Sequence, residues 1–118
     1  VLECDRGMSL YCYDGASYKN IRFLNNRFER NYPDRRQCGI HFWIKGRNPT
    51  SRIGTMDQIL IKDCSFSRAF PFPFRVHGYD DQHKINLTIE NLTVAGEVCS
   101  ADNESTFFSK EYADIKYE

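Results

Sequence analysis

The chain has no excess of charge of either sign, because its 118 residues include 16 Lys and Arg and 16 Asp and Glu. A balanced chain creates no strong field, so we expect neither nucleic acid nor an anionic membrane surface as a partner. No apolar run comes near the roughly 20 residues that a membrane-spanning helix needs. The length suits one continuous core, so residues 1–118 are predicted to form a single domain.

A complete disulfide framework and a zinc site are both unexpected. The five cysteines stand at positions 4, 12, 38, 64 and 99, an odd number without a C-x-x-C pair. Cys12 and Cys64 fall inside strand-like segments, where cysteine usually packs as a small apolar side chain. We therefore predict no metal and no other cofactor.

The sequence also lacks any window longer than ten residues with the 3.6-residue period of an amphipathic helix. Instead, one pattern recurs: apolar, any, apolar, any, Asn or Asp, any, any, apolar. It occupies residues 21–28, 59–66 and 87–94, with a partial copy at 115–117. Repeats of this length made of short strands predict a solenoid, since one unit cannot bury its apolar face alone.

A second set of strand-like segments lies between the repeats, at residues 8–13, 39–45 and 73–78, and a third short strand is expected near 105–108. We therefore predict an all-β fold, a right-handed parallel β-helix of three to four coils. Ile21, Ile59, Leu87 and Ile115 should stack as one interior ladder. The chain opens directly on a strand-like stretch without an initiator Met or a signal peptide, which suggests a section of a longer β-helix.

The Asn or Asp position of the repeat is held by Asn25, Asp63 and Asn91. Such a residue suits a corner of a coil, where it tolerates left-handed geometry and its side chain bonds backbone groups. We expect a structural role, with the side chain turned inward. That orientation would leave the Asn-x-Thr sequon at Asn91 without a glycan.

Several segments follow the order of motifs in a known family. They are Arg-Gly-Met-Ser-Leu at 6–10, Tyr-Lys-Asn-Ile-Arg-Phe at 18–23, Gly-Ile-His-Phe at 39–42 and Gly-Thr-Met-Asp-Gln-Ile-Leu-Ile at 54–61. They resemble the later coils of polygalacturonase-type glycoside hydrolases, which carry Gly-His-Gly-Leu-Ser-Ile, Asn-Val-x-Phe, Gly-x-Arg-Ile-Lys and Asn-Ile-x-Tyr. Residues 78–81, 91–96 and 112–115 resemble the last coils of that group. Such enzymes are right-handed parallel β-helices of the pectin-lyase-like superfamily.

The resemblance implies a polysaccharide hydrolase as the parent protein, outside the cell or in the periplasm. The catalytic carboxylates of that family lie in Asn-Thr-Asp and Asp-Asp motifs on earlier coils, which are not in this chain, so the chain alone is expected to be inactive. The His of that family's Gly-His-Gly motif aligns with Arg6, and the Arg and Lys of its Arg-Ile-Lys motif align with His41 and Trp43. An arginine binds a carboxylate through two parallel hydrogen bonds, which His41 and Trp43 cannot form. The departures argue against strict polygalacturonate chemistry and favour another, neutral polysaccharide.

Alternation along the strand-like segments at residues 8–13, 39–45 and 73–78 supplies the candidate site. If Leu10, Cys12, Ile40, Phe42, Phe74 and Val76 face the core, the residues between them face outward. We predict a saccharide-binding strip of flat rings and polar donors. Its members are Tyr11, His41, Trp43, Arg75 and His77, with Tyr13 beside them. Alternatively, these rings only pack across a sheet exterior, or a loop at residues 31–36 covers them.

Asp80 and Asp81 are adjacent acids that could serve as a catalytic pair, but they follow Gly78 in a turn-like segment, where Asp is common for backbone reasons. Three ligands as loosely spaced as His77, Asp80 and His83 do not predict a metal site.

A second function remains open, a β-helical module that binds glycan or protein without catalysing a reaction. A homodimer through the exposed first coil, residues 1–13, is also expected.

Overall fold

The computed structural model describes residues 2–3, 8–29, 39–46, 50, 52–69 and 72–118. Within these ranges nearly all regular structure is β, which confirms the predicted all-β class. The strands are β1 (Leu2–Glu3), β2 (Met8–Tyr13), β3 (Tyr18–Lys19), β4 (Arg22–Leu24), β5 (Arg27–Glu29), β6 (Ile40–Lys45), β7 (Met56–Phe66), β8 (Phe74–His77), β9 (Ile85–Val94), β10 (Glu97–Val98), β11 (Phe108–Glu111) and β12 (Ala113–Tyr117), and the helix is α1 (Glu104–Phe107).

The strands form two sheets. The first sheet contains β1, β3, β4, β5, β7, β9, β10 and β12, and the second has the order β11-β8-β6-β2. Strand pairing in both sheets is parallel, except for the antiparallel pair of β9 and β10. Because parallel neighbours need crossover connections, the chain passes back and forth between the two sheets as it advances.

The ladder predicted from the repeat lies in one row on the core side of the first sheet. Ile59 pairs in register with Leu87, and Leu87 pairs with Ile115. The N–H of Leu60 donates to the carbonyl oxygen of Ile21 at 2.9 Å, which places Ile21 beside the same row. Ile59 and Leu87 are 1% exposed, while Ile21 and Ile115 are partly buried against the same core.

The core fills the space between the two sheets. Phe23 of the first sheet stacks on Phe42 of the second at 5.9 Å between ring centroids, and Phe66 meets Phe74 at 5.1 Å. The sequence predicted which residues of the segments at 8–13, 39–45 and 73–78 face the core, and the structure confirms them. All of them are buried or packed against the core: Leu10, Cys12, Ile40, Phe42, Phe74 and Val76. Burying a side chain of this size stabilises the fold by about 1.5–3 kcal/mol.

The Asn or Asp position of the repeat has the predicted left-handed conformation in all three copies. The φ angles of Asn25, Asp63 and Asn91 are +55°, +53° and +55°. The inward orientation was wrong, because all three side chains are exposed and Asn91 Nδ2 donates to the Asp63 carboxylate at 2.9 Å. One left-handed residue resets the alternation of its strand, so two consecutive side chains, Lys62 and Asp63, point outward before Cys64 is buried again.

The strand expected near residues 105–108 is a helical turn instead. Helix α1 covers Glu104–Phe107, and the strand β11 begins only at Phe108. Local hydrogen bonds favour the turn, because Asn103 Oδ1 accepts from the N–H of Ser100 and the Asn103 carbonyl accepts from Thr106. In the described part of the chain, no helix is both long and apolar enough to cross a bilayer.

Candidate functional site

Parallel register on the outer face of the second sheet gathers the predicted site residues into rows. The first row is Ser9, His41, Arg75 and Ser109, the second is Tyr11, Trp43, His77 and Glu111, and the third is Tyr13 with Lys45. We call these residues the outer strip. Neighbouring members of a row lie on strands roughly 4.8 Å apart, so side chains from distant parts of the sequence become direct neighbours.

His41 lies on the outer face as predicted, but the expectation that it is exposed was wrong, because only 7% of it is accessible. The Tyr11 hydroxyl lies 2.9 Å from His41 Nδ1, and the Tyr11 ring meets the imidazole edge-on at 5.0 Å. The Trp43 ring stacks on it at 5.4 Å with an interplanar angle of 22°. Both rings pack on the imidazole from outward positions, so His41 supports its neighbours. The covering loop predicted at residues 31–36 lies outside the described residues.

Trp43 is half-buried at the centre of the outer strip. Its ring centroid lies 6.5 Å from those of Tyr11 and Tyr13, which stack on each other at 5.8 Å. Lys45 Nζ lies over the indole, 4.7 Å from the ring centroid. The three aromatic rings therefore form one connected cluster with a cation at its edge.

Polar groups border this aromatic cluster. Arg75 is exposed, and among the residues that the structure describes no carboxylate lies within ion-pair distance of its guanidinium. His77 is half-buried, and its Nε2 lies 3.0 Å from Ser109 Oγ. The outer strip thus combines flat apolar surface with directed donors, an arrangement that suits a sugar ring.

Sequence reasoning missed four members of the outer strip. Ser9 and Lys45 continue the alternation of β2 and β6 and could have been found from that pattern alone. Ser109 and Glu111 belong to β11, which lies after the position expected for the third short strand. Their place beside Arg75 and His77 follows only from the pairing of β11 with β8.

Asp80 stabilises a turn, as predicted. Its Oδ1 accepts hydrogen bonds from the N–H groups of Gln82 at 2.9 Å and His83 at 2.8 Å, and it lies 2.8 Å from His83 Nδ1. The hydrogen bond to the His83 side chain lowers the pKa of the Asp80 carboxyl. Within the described ranges, no group of three or more His, Cys, Asp or Glu side chains is arranged to hold a metal ion.

A separate acidic hollow of about 290 Å³ lies beside the first sheet, and Asp57, Asp81 and Asp114 contribute to its wall. Asn86 Nδ2 donates to Asp57 at 3.2 Å, and Lys84 Nζ lies 3.8 Å from Asp114. The Lys84 ammonium group balances part of the negative charge, and the Asn86 amide bonds one of the carboxylates. Sequence reasoning missed the hollow because its acids come from three separate segments with no shared motif.

Burial changes the proton affinity of two groups near the last strands. Burial raises the pKa of the Cys99 thiol to about 11, and the nearby Glu97 charge acts in the same direction. Burial raises the pKa of the Tyr117 hydroxyl, and the neighbouring Glu104 carboxylate acts in the same direction. The hydroxyl lies near that carboxylate, but within the described structure it makes no hydrogen bond of regular geometry. Both groups lie away from the outer strip and have a structural rather than a ligand-binding environment.

A scan against protein-family models and searches of the curated proteins and of the solved structures give no match to this chain. Any assignment of function therefore depends on the chain's own residues and their geometry.

Proposed function

We propose that the two parallel sheets are the faces of a right-handed parallel β-helix of three to four coils. The interior row of Ile59, Leu87 and Ile115 supports this, because each member belongs to a successive copy of the repeat. The left-handed corner at Asp63 and Asn91 also recurs at the same place in successive copies. Such regular stacking is the way a repeat unit buries a face that it cannot bury alone.

Within that architecture, the chain is the C-terminal section of a polygalacturonase-like glycoside hydrolase, and its outer strip forms part of the wall of the substrate groove. The observation that carries this proposal is the row of Tyr11, Trp43 and His77 beside the exposed Arg75. A sugar ring would pack its C–H face on the aromatic cluster and bond its hydroxyls to the neighbouring donors. The parent protein would act outside the cell or in the periplasm.

The aromatic cluster is ordered before any ligand arrives. Tyr11 and Trp43 are half-buried and held by the ring contacts within the strip. Binding to side chains that are already fixed loses little rotamer entropy, which favours affinity. The fixed positions of these rings therefore support the proposal that the saccharide-binding surface is formed before the ligand binds.

The chain's own carboxylates support binding rather than cleavage. Glycosidic hydrolysis uses two carboxyl groups, roughly 6.5–9.5 Å apart in inverting enzymes and closer in retaining ones. Among the described rows of the strip, Glu111 is the one carboxylate, and Asp80 is bound within its turn. The hydrolytic acids would lie upstream. The same observation favours a second candidate, a β-helical module that binds glycan without chemistry.

Titration with oligosaccharides tests the binding function. Neutral arabino- and xylo-oligosaccharides and oligogalacturonate are titrated into the chain and into Trp43→Ala, with heat release as the measurement. Tyr79→Ala is the matched control, since Tyr79 is an aromatic residue 48% exposed outside the strip. We expect binding that Trp43→Ala abolishes and Tyr79→Ala preserves. Absence of binding to every saccharide would overturn the proposal.

The two candidates differ in the longer parent protein. A hydrolase would release reducing ends from one of these polysaccharides and would lose that activity when upstream aspartates are replaced. A binding module would retain saccharide affinity without release. The homodimer through residues 1–13 stays a prediction, since residues 1 and 4–7 lie outside those that the structure describes. Light scattering across a concentration series measures it.

A further inference from the structure

Trp43 has a different neighbour on each side along its strand. His41, Trp43 and Lys45 are alternate residues of β6, so all three side chains leave the same face of the sheet. Alternate residues of a strand are separated by about 6.7 Å, with Trp43 between the other two. His41 stacks on the indole at 5.4 Å, and Lys45 Nζ lies over the indole at 4.7 Å from its centroid. The ring therefore stands between an imidazole and an ammonium group.

The side occupied by His41 is fixed. His41 is only 7% exposed, and its Nδ1 lies 2.9 Å from the Tyr11 hydroxyl. The Tyr11 ring also contacts the imidazole edge-on at 5.0 Å. A ligand could reach this side of Trp43 only by removing a buried, hydrogen-bonded group, which costs far more than displacing an exposed one.

On the other side of the indole, the Lys45 side chain can move away. Lys45 is exposed, and a cation–π contact at an exposed site is weak. The lysine stem is flexible, so the ammonium group can move into water without a change in the backbone. Displacing it would uncover a flat apolar surface that is already held in place from behind.

We propose that Trp43 offers one ligand-binding face, the face that Lys45 covers, to the apolar side of an uncharged sugar ring. His41 is a positioning residue that holds the indole from behind, and Lys45 is a displaceable cover that competes with the sugar. The inference rests on the proposed function for the identity of the ligand. The geometry itself can be tested without any ligand, because Trp43 is the single tryptophan of the chain.

Quenching of Trp43 fluorescence by acrylamide, a neutral quencher, measures access to the indole in the 118-residue chain. We expect Lys45→Ala to raise the quenching constant, since the truncated side chain no longer reaches over the ring. His41→Phe should leave it unchanged, because a stacked ring still fills the protected side. Lys116→Ala, on the first sheet, is the matched control and should have no effect. An unchanged constant for Lys45→Ala, or an equal rise for His41→Phe, would overturn the geometry.

Saccharide titration of the same variants tests the ligand. With a neutral oligosaccharide, Lys45→Ala should bind about two- to fivefold more tightly, the equivalent of one exposed cation–π contact. His41→Ala should bind more weakly, and His41→Phe should restore affinity by restoring the stack. Weaker binding by Lys45→Ala would overturn the cover and make Lys45 a direct ligand contact. If the unmodified chain binds no saccharide, the proposed function fails, and the quenching comparison still decides the geometry.

Discussion

Asn91 and Asp63 face each other across adjacent strands, with Asn91 Nδ2 donating to the Asp63 carboxylate at 2.9 Å, and both residues have left-handed backbone conformations. The repeat places an Asn or Asp at this corner because a residue with a Cβ is strained there unless its side chain offers a compensating bond. This position is therefore held by its backbone conformation and by a side-chain contact between the neighbouring strands β7 and β9.

Replacing Asn91 separates these two contributions. Asn91→Ala should lower the free energy of unfolding by about 1–2 kcal/mol, because alanine is strained at positive φ and the bond to Asp63 is lost. Asn91→Gly should cost less, since glycine adopts this conformation freely. Asn86→Ala is the control, as its backbone φ is not positive. Urea unfolding measures all three, and equal losses for Gly and Ala would contradict a conformational cause.

Adjacent residues on β6 should differ sharply in their effect on stability. Phe42 is fully buried while Trp43 is half-exposed on the opposite face. Phe42→Ala should cost about 3–5 kcal/mol, the range for a buried aromatic side chain. Trp43→Ala should cost clearly less, because its ring keeps contact with water. Thermal unfolding followed by circular dichroism decides this, and the reverse order would mean that the strand register is shifted by one residue.

Alkaline pH should destabilise the fold through Cys99 and Tyr117. Both groups have a higher pKa in the folded chain than in the unfolded one. The folded state therefore holds its protons more tightly, so stability is constant below the unfolded pKa values and falls as the pH rises above them. For Cys99 the loss should run from about pH 9 to about pH 11, the ordinary and the raised pKa.

Tyr117→Phe isolates the tyrosine contribution. The Tyr117 hydroxyl is buried without a hydrogen bond of regular geometry in the described structure, so its removal should leave stability at pH 7 unchanged or slightly raised. The variant should also keep more of its stability above pH 10 than the unmodified chain does. Urea midpoints between pH 7 and pH 11 provide the measurement. A large loss at pH 7 would show that the hydroxyl makes a stabilising bond.

The isolated chain should have no glycosidase turnover. Its outer strip carries Glu111 as the one carboxylate among the described rows, whereas cleavage needs a cooperating pair. Incubation with polygalacturonate, arabinan, dextran and xylan, followed by a reducing-end assay, should give background values. Release at an enzymatic rate that Asp80→Asn abolishes would place the active site at the turn instead.

The outward and inward sides of β2, β6 and β8 could be predicted from the sequence, because alternation in a strand is a local property with a period of two residues. The ladder through Ile59 and Leu87 was predictable for the same reason, since equal positions of a repeat occupy equal positions in successive units. The left-handed corner at Asn25, Asp63 and Asn91 also followed from residue type, because few side chains tolerate that conformation.

Only the tertiary structure decided what covers each outward side chain. His41 alternates outward like Trp43, yet it is nearly buried, and Tyr11, thirty positions earlier, is bonded to it across the sheet. The acidic hollow of Asp57, Asp81 and Asp114 likewise depends on which strands are neighbours. Alternation specifies the face of the sheet that a side chain leaves, whereas its burial depends on strand register, which brings together residues that are distant in sequence.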